Sequence, residues 1–325
     1  MKKVLITGAN GYIGARLSRF FAENAYRVTA VCYPEIPPYK KWIDRMEEVV
    51  VGDLRDDATI ARLTGKRFDA VIHLVSLDHH QSEGKADFVS SVNVLPAWRL
   101  LEGFSKTSLE KFIYFSTVQV YGKIGDEVIS EARRPTPANI YGLTHFLSEE
   151  ICAYFSRTTK IQCSIVRLSN SYGSPLFIDN NCWWLVINDL CKNAYSKKRM
   201  QLLSDGSPQR DFIHGNDVCR AVQILIEGKK TGEGMQTYHI ASGKTVTILE
   251  LAHKVKEIYQ KRYGTTIDIY LKDNTISENA DAFNSRNRYR FDTSKMQALG
   301  FGPSVDLVEG ITGLFEFLER HQPHQ

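Results

Sequence analysis

Three glycines, Gly8, Gly11 and Gly14, mark the passage from an apolar strand pattern at Val4–Thr7 into a helical pattern at Ile13–Asn24. In a strand–turn–helix unit the first glycine allows a tight turn and the second lets the backbone approach a pyrophosphate. The third lets the helix pack closely on the strand, and the helix N-terminus favours the anion. The spacing is GxxGxxG and not GxGxxG, and glycine count alone would fit any glycine-rich loop. Position after the first strand and at a helix start selects the dinucleotide reading. It assigns Gly8, Asn10, Gly11, Tyr12, Ile13 and Gly14 to the cofactor.

Further apolar runs at Val28–Val31, Val49–Val51, Ala70–Leu74, Phe112–Ser116 and Ile161–Leu168 read as strands. Helical stretches lie between most of them, notably Asp87–Ser105, where Pro96 predicts a kink or a helix start, and Tyr141–Ser156. Apolar strands separated by helices predict an α/β fold, a Rossmann-type doubly wound parallel sheet. After Asn170, loop signals surround a helix near Trp183–Tyr195. A strand at Thr237–Ile240, a helix at Ile248–Tyr259, a strand at Ile267–Tyr270 and a helix at Leu307–Arg320 follow. The expected division is a dinucleotide-binding domain over 1–172 and a smaller C-terminal substrate-binding lobe over 173–325. Segments near 209–242 are expected to return to the first domain.

Asp53, ending the third strand in Gly52-Asp53-Leu54, could accept an adenine amino hydrogen or could be an ordinary turn aspartate. Where dinucleotide folds place an acid or a base for the ribose 2′ group, this chain has Cys32-Tyr33-Pro34. Neither an acid nor a well-placed arginine stands there, although Lys40, Lys41 or Arg45 could reach, so the choice between NAD and NADP stays open.

TGxxGxxG, Gly52-Asp53-Leu54, His73-Leu74, Asn93, Ser116-Thr117-x-x-Val120-Tyr121-Gly122, Tyr141, Arg167-x-x-Asn170-x-Tyr172-Gly173 and Gln209-Arg210-Asp211-Phe212-Ile213-His214 occur in this order. As a set they resemble the extended short-chain dehydrogenases/reductases, in the NAD(P)-dependent nucleotide-sugar epimerase/dehydratase branch. The resemblance implies cofactor contacts at Cys32, Asp53, Leu54, Leu74, Val75, Asn93, Tyr141 and His145. It implies Tyr141 as the acid/base and Thr117 as the hydroxyl bonding the reacting oxygen.

In that family a lysine four residues after the tyrosine lowers its pKa and holds the cofactor ribose. Here the residue is His145. Imidazole is shorter and largely neutral at pH 7 unless its surroundings raise its pKa. Three readings follow: a working substitute charged by a carboxylate or by the phenolate; another cation, such as the oxidised nicotinamide, lowering the tyrosine pKa; or a site kept only for binding. Val118-Gln119 follow Thr117 where family dehydratases carry an Asp-Glu pair, which argues against 4,6-dehydration.

For the substrate, a nucleoside-diphosphate sugar, the resemblance points to Thr117, Asn170, Asn181 and Arg210, with Asn180 beside them. Arg286, Arg288 and Arg290 could reach the diphosphate but read better as a solvated face. Trp183 and Trp184 read as lobe core, and His79-His80 are weak metal candidates; no metal is expected. Lysine plus arginine total 41 against 37 acids, too small and dispersed an excess for nucleic acid. The sequence has no long apolar span and no signal-peptide layout, and its six cysteines are scattered, so a reduced, cytoplasmic protein is expected. Epimerisation through a transient keto sugar heads the functional readings. Net reduction or oxidation follows, then a dinucleotide-binding protein with weakened catalysis. A homodimer through the helices at 87–105 and 141–156 is implied by resemblance.

Overall fold

The apolar runs and the helical patterns between them fold into alternating strands and helices, as their periodicities dictate. The computed structural model describes residues 1–229, 234–277 and 288–321. β1 (Lys3–Thr7) leads into α1 (Tyr12–Glu23), β2 (Arg27–Cys32), a short α2 (Lys40–Ile43), β3 (Glu48–Val51), α3 (Asp57–Thr64) and β4 (Ala70–His73). Then come α4 (Ala86–Asn93), α5 (Leu95–Phe104), β5 (Lys111–Thr117), β6 (Val128–Ile129), α6 (Ile140–Thr158) and β7 (Gln162–Leu168). The second half holds β8 (Asn170–Tyr172), α7 (Val186–Lys197), β9 (Arg199–Gln201), β10 (Gln209–His214), α8 (Gly215–Glu227) and β11 (Gln236–Ile240). It ends with β12 (Thr245–Thr247), α9 (Ile248–Tyr263), β13 (Asp268–Tyr270), β14 (Arg290–Phe291), α10 (Ser294–Ala298) and α11 (Leu307–His321).

The main sheet runs β11-β7-β5-β4-β1-β2-β3, and its strand pairs are all parallel. β4 and β5 are buried at every residue, as strands covered on both faces must be. Strand order reverses at β1, which pairs with β2 on one side and β4 on the other. That reversal opens a crevice at the strands' C-terminal ends, where doubly wound folds bind ligands.

Two expectations are corrected. The helix predicted at 87–105 breaks at Val94 into α4 and α5, with Pro96 in the first turn of α5. A proline there loses no hydrogen bond, because first-turn N–H groups have no intrahelical partner. The helix predicted from Trp183 starts at Val186, after an extended Leu185. Trp183 still packs on the second lobe's apolar core, whereas Trp184 is exposed. That core gathers Tyr172, Leu190, Tyr195, Met200, Val255, Ile269 and Leu314, apart from the cores on the two faces of the main sheet. β11 returns to the edge of the main sheet, and α8 packs on α1.

Beneath the crevice, α6 is tied to the sheet by a buried ion pair. Arg167 on β7 binds Glu149 on α6 through Nε and Nη2, with Nη2 at 2.6 Å, and both side chains are almost wholly inaccessible. Ser116 on β5 donates to the same carboxylate, and Arg167 also donates to the Tyr121 hydroxyl at 2.8 Å. Removing one member of such a pair strands a buried charge. Glu149→Ala should therefore lower unfolding stability by about 3–5 kcal/mol, and Glu149→Leu combined with Arg167→Met by clearly less. Urea denaturation of the three proteins checks this.

Candidate functional site

The glycine turn takes the shape its spacing predicts. Gly8 has a φ of +69°, a left-handed conformation that costs glycine little. A Cβ on Gly14 would lie 2.0 Å from the Gly8 carbonyl oxygen, so only glycine lets α1 start this close to the turn. Gly11 caps α1 without a side-chain bond to its first N–H groups. Those N–H groups and the helix dipole suit a phosphate. Asn10 donates to the Tyr33 carbonyl at 2.9 Å, and Tyr12 donates from its buried hydroxyl to the Gly173 carbonyl at 2.8 Å. Ile13 packs on the core, so Tyr12 and Ile13 can offer a cofactor their backbone but not these side chains.

A cleft of about 300 Å³ opens from this turn. Gly8, Asn10, Gly11, Cys32, Tyr33, Asp53, Leu54, Leu74, Val75 and Ser76 are among the residues lining it. Cys32 is buried, which pushes its thiol up to about 12. Asp53 is already engaged: the Arg55 guanidinium bonds both its oxygens and holds its carboxyl below the usual range. Arg55, which sequence reasoning missed, also lines the cleft, 5.7 Å from the Phe88 ring centroid. Its place directly after Gly52-Asp53-Leu54 was the available signal. Lys40, Lys41 and Arg45 do not line the cleft; Lys40 pairs with Asp44 and Arg45 with Glu23.

Asn93 is 1% exposed and fully occupied within the protein. It accepts from Leu77 N–H at 2.8 Å and donates to Ser82 and Thr144. Its structural role is to hold the loop after β4 against α6, and it bears on a cofactor only through that loop.

Thr117 ends β5, and Tyr141 stands near it in the first turn of α6. Asn139 caps α6 by accepting from Gly142 N–H at 2.7 Å and also donates to Gln119. A Cβ on Gly142 would stand 2.7 Å from the Gln119 carbonyl oxygen, so glycine lets α6 approach the turn after β5. Thr117 accepts from Gln119 N–H at 3.2 Å. Burial and the negative charge of Asp78 push the Tyr141 phenol up to about 12, and the nearby Thr117 hydroxyl acts in the opposite direction.

His145 lies edge-on to Tyr141, ring centroids 4.5 Å apart. Burial brings its pKa down to about 4. The imidazole is therefore held in its neutral form, with no fixed charge where the family has lysine.

The residues expected to hold substrate are more dispersed. Asn170 donates to the Asp211 carbonyl at 2.8 Å, and the buried Asn180 donates to the Asn10 carbonyl at 2.9 Å, tying the second lobe to the glycine turn. Asn181 and Arg210 are exposed. Arg288 bonds Glu250 and the Thr245 carbonyl, Arg290 is exposed, and Arg286 lies outside the described residues. His79 and His80 lie against one another with tilted rings, centroids 3.9 Å apart, with Trp184 beside His79. Among the described residues no group of three or more His, Cys, Asp or Glu side chains could hold a metal. No described helix is long and apolar enough to cross a membrane.

A doubly wound parallel sheet with a glycine turn opening onto a cleft is the architecture of the extended short-chain dehydrogenases/reductases. A family model for the NAD dependent epimerase/dehydratase family matches residues 4–241. The chain belongs to that family, whose members are NAD-dependent enzymes. It is 24% identical to a dTDP-glucose 4,6-dehydratase of Streptomyces niveus, over 97% of this chain and 92% of that protein. It is 26% identical to a dTDP-L-rhamnose 4-epimerase of Burkholderia thailandensis, over 79% of this chain and 81% of that protein. Its fold matches the UDP-glucuronic acid 4-epimerase of Bacillus cereus solved with UDP-glucuronic acid and NAD: TM-score 0.78, 24% identity, 98% of this chain and 99% of that one.

Because the Gly14 Cβ position coincides with backbone, Gly14→Ala should abolish dinucleotide retention through the purification. Nucleotide extracted from the denatured variant, measured against wild type, checks this.

Proposed function

We propose that this enzyme epimerises a carbon of a nucleoside-diphosphate sugar through a transient keto sugar. The observation that carries the reading is the cleft at the glycine turn, whose Ser76 wall meets His145, the ring packed edge-on against Tyr141. NAD or NADP fits that cleft at the Gly8–Gly14 turn, with Cys32, Asp53, Leu54, Leu74 and Val75 along its walls. A bound nicotinamide supplies hydride acceptance and return at the sugar carbon. The chain's own residues handle the proton. Tyr141 takes it from the sugar hydroxyl and returns it, while Thr117 orients the oxygen. A hydride returned to the opposite face would give the epimer with no net oxidation. Val118 and Gln119 lack the carboxylates that would eliminate water, which separates this chain from the dehydratases it is similar to.

Arg210 and Asn181, exposed in the second lobe, are the assigned diphosphate contacts, with Asn170 positioning the strand beneath. Incubation with a panel of nucleotide sugars tests the reaction. Epimer should accumulate with no steady absorbance change of the dinucleotide, whereas steady net change would show a reductase or dehydrogenase. Tyr141→Phe should lower turnover by about 10²–10⁴-fold with dinucleotide retained. If wild type turns over nothing in the panel, the protein is a dinucleotide binder.

The pH dependence follows from the two shifts. The phenolate is the base that deprotonates the sugar hydroxyl, and a neutral His145 gives it no cationic help. Turnover in the oxidation direction should therefore rise with pH from neutral to about 10 without a plateau. His145→Lys should move the rise to lower pH. A limb near pH 6.5 that disappears in His145→Gln would contradict a neutral histidine.

A homodimer completes the proposal. Leu95 and Trp98 on α5 and Leu143, Leu147 and Tyr154 on α6 are exposed on two packed helices, an apolar face suited to a second copy. Trp98→Glu with Leu147→Glu should sediment as a monomer where wild type sediments as a dimer. A reduced, cytoplasmic setting suits the six buried free cysteines.

A further inference from the structure

His145 stands where a lysine would carry a fixed charge, so the groups that hold its ring decide what it can offer. Each nitrogen has one partner. Nδ1 lies 3.0 Å from the Tyr114 hydroxyl, and Nε2 lies 3.2 Å from Ser76 Oγ. Neither partner can carry a charge in this setting. Tyr114 is 1% exposed on β5, and burial raises its phenol well above the usual range. Ser76 lines the cofactor cleft.

The direction of the bonds follows from counting hydrogens. Ser76 owns one hydroxyl hydrogen, and its Oγ is 2.9 Å from the Leu77 carbonyl, which can only accept. With that hydrogen committed, Ser76 meets the imidazole as an acceptor, which requires a hydrogen on Nε2. A neutral ring then has a bare Nδ1, and the Tyr114 hydroxyl supplies the hydrogen that satisfies it. The reverse arrangement would take the Ser76 hydrogen away from Leu77. It would aim Nδ1–H toward Tyr114.

We infer that Tyr114 and Ser76 are positioning residues that lock His145 as its Nε2–H tautomer, with the proton on the side of the ring facing the cleft. The site thereby presents a neutral hydrogen-bond donor where a lysine would present an ammonium. Tyr114 does not line the cleft; it acts through His145. The inference deepens the proposed function and rests on it for the kinetic arm, while the spectroscopic arm stands without turnover.

Histidine-selective ¹⁵N NMR at pH 7 separates a protonated ring nitrogen from a bare one, with His145→Gln identifying the His145 signals. Wild type should show a bare Nδ1 and a protonated Nε2, and Tyr114→Phe and Ser76→Ala should each weaken that preference. A protonated Nδ1 in wild type, or signals unmoved by both variants, overturns the inference. In the kinetic arm Tyr114→Phe should lower kcat about tenfold beside His145 but leave kcat nearly unchanged in a His145→Lys background. An equal loss in both backgrounds makes Tyr114 merely structural. Absence of turnover in every protein would sink the proposed reaction and leave the tautomer to the NMR result. Should Tyr114→Phe fail to fold, Ser76→Ala carries the same comparisons from the exposed side of the ring.

Discussion

The site depends on one buried charge pair. Glu149 and Arg167 fasten α6 to β7, and Ser116 brings β5 into the same bond network. Ser116 adjoins Thr117, and Glu149 lies eight residues beyond Tyr141 on one helix. The anchor therefore sits about 12 Å along α6 from the tyrosine, at 1.5 Å per residue. Any slip of the helix would move Tyr141 away from Thr117. Burying two charges is costly in itself, and the pair is tolerable because its carboxylate and guanidinium are bonded on several sides. We read its value as register rather than net stability. The far end of α6 is fixed separately, by the Asn139 cap and the close approach at Gly142.

What was legible in the sequence was whatever the backbone itself demands. The glycine spacing at 8, 11 and 14 encodes a positive φ and a contact with no room for Cβ, and the turn has both. Strand runs covered on both faces are apolar throughout, so the main sheet could be read from them. The break at Val94 was half legible, since Pro96 signals a helix start as readily as a kink. Thr117 and Tyr141 were legible only as members of an ordered set.

What could not be read depends on where distant segments meet. The neutrality of His145 comes from its burial under Ser76 and Tyr114, which are 69 and 31 residues away in the chain. Asp53 looks like a free carboxylate in the sequence, and only the fold of the next two residues brings Arg55 back onto it. Asn93 and Asn180 carry polar groups suited to ligands, yet both are consumed in holding segments of the protein to each other. Residue type states what a side chain can bond; tertiary structure decides whether that capacity is already taken.

The contact between Gly8 and Gly14 has a consequence for recognition. Turn and helix are interlocked there by backbone alone, and Asn180 adds a strut from the second lobe. The pyrophosphate seat thus has its shape before any ligand arrives. Binding loses little chain entropy in ordering it, so a larger share of the contact energy appears as affinity. A preformed seat of this kind favours slow release, which is what a reaction that lends hydride and takes it back within one encounter requires.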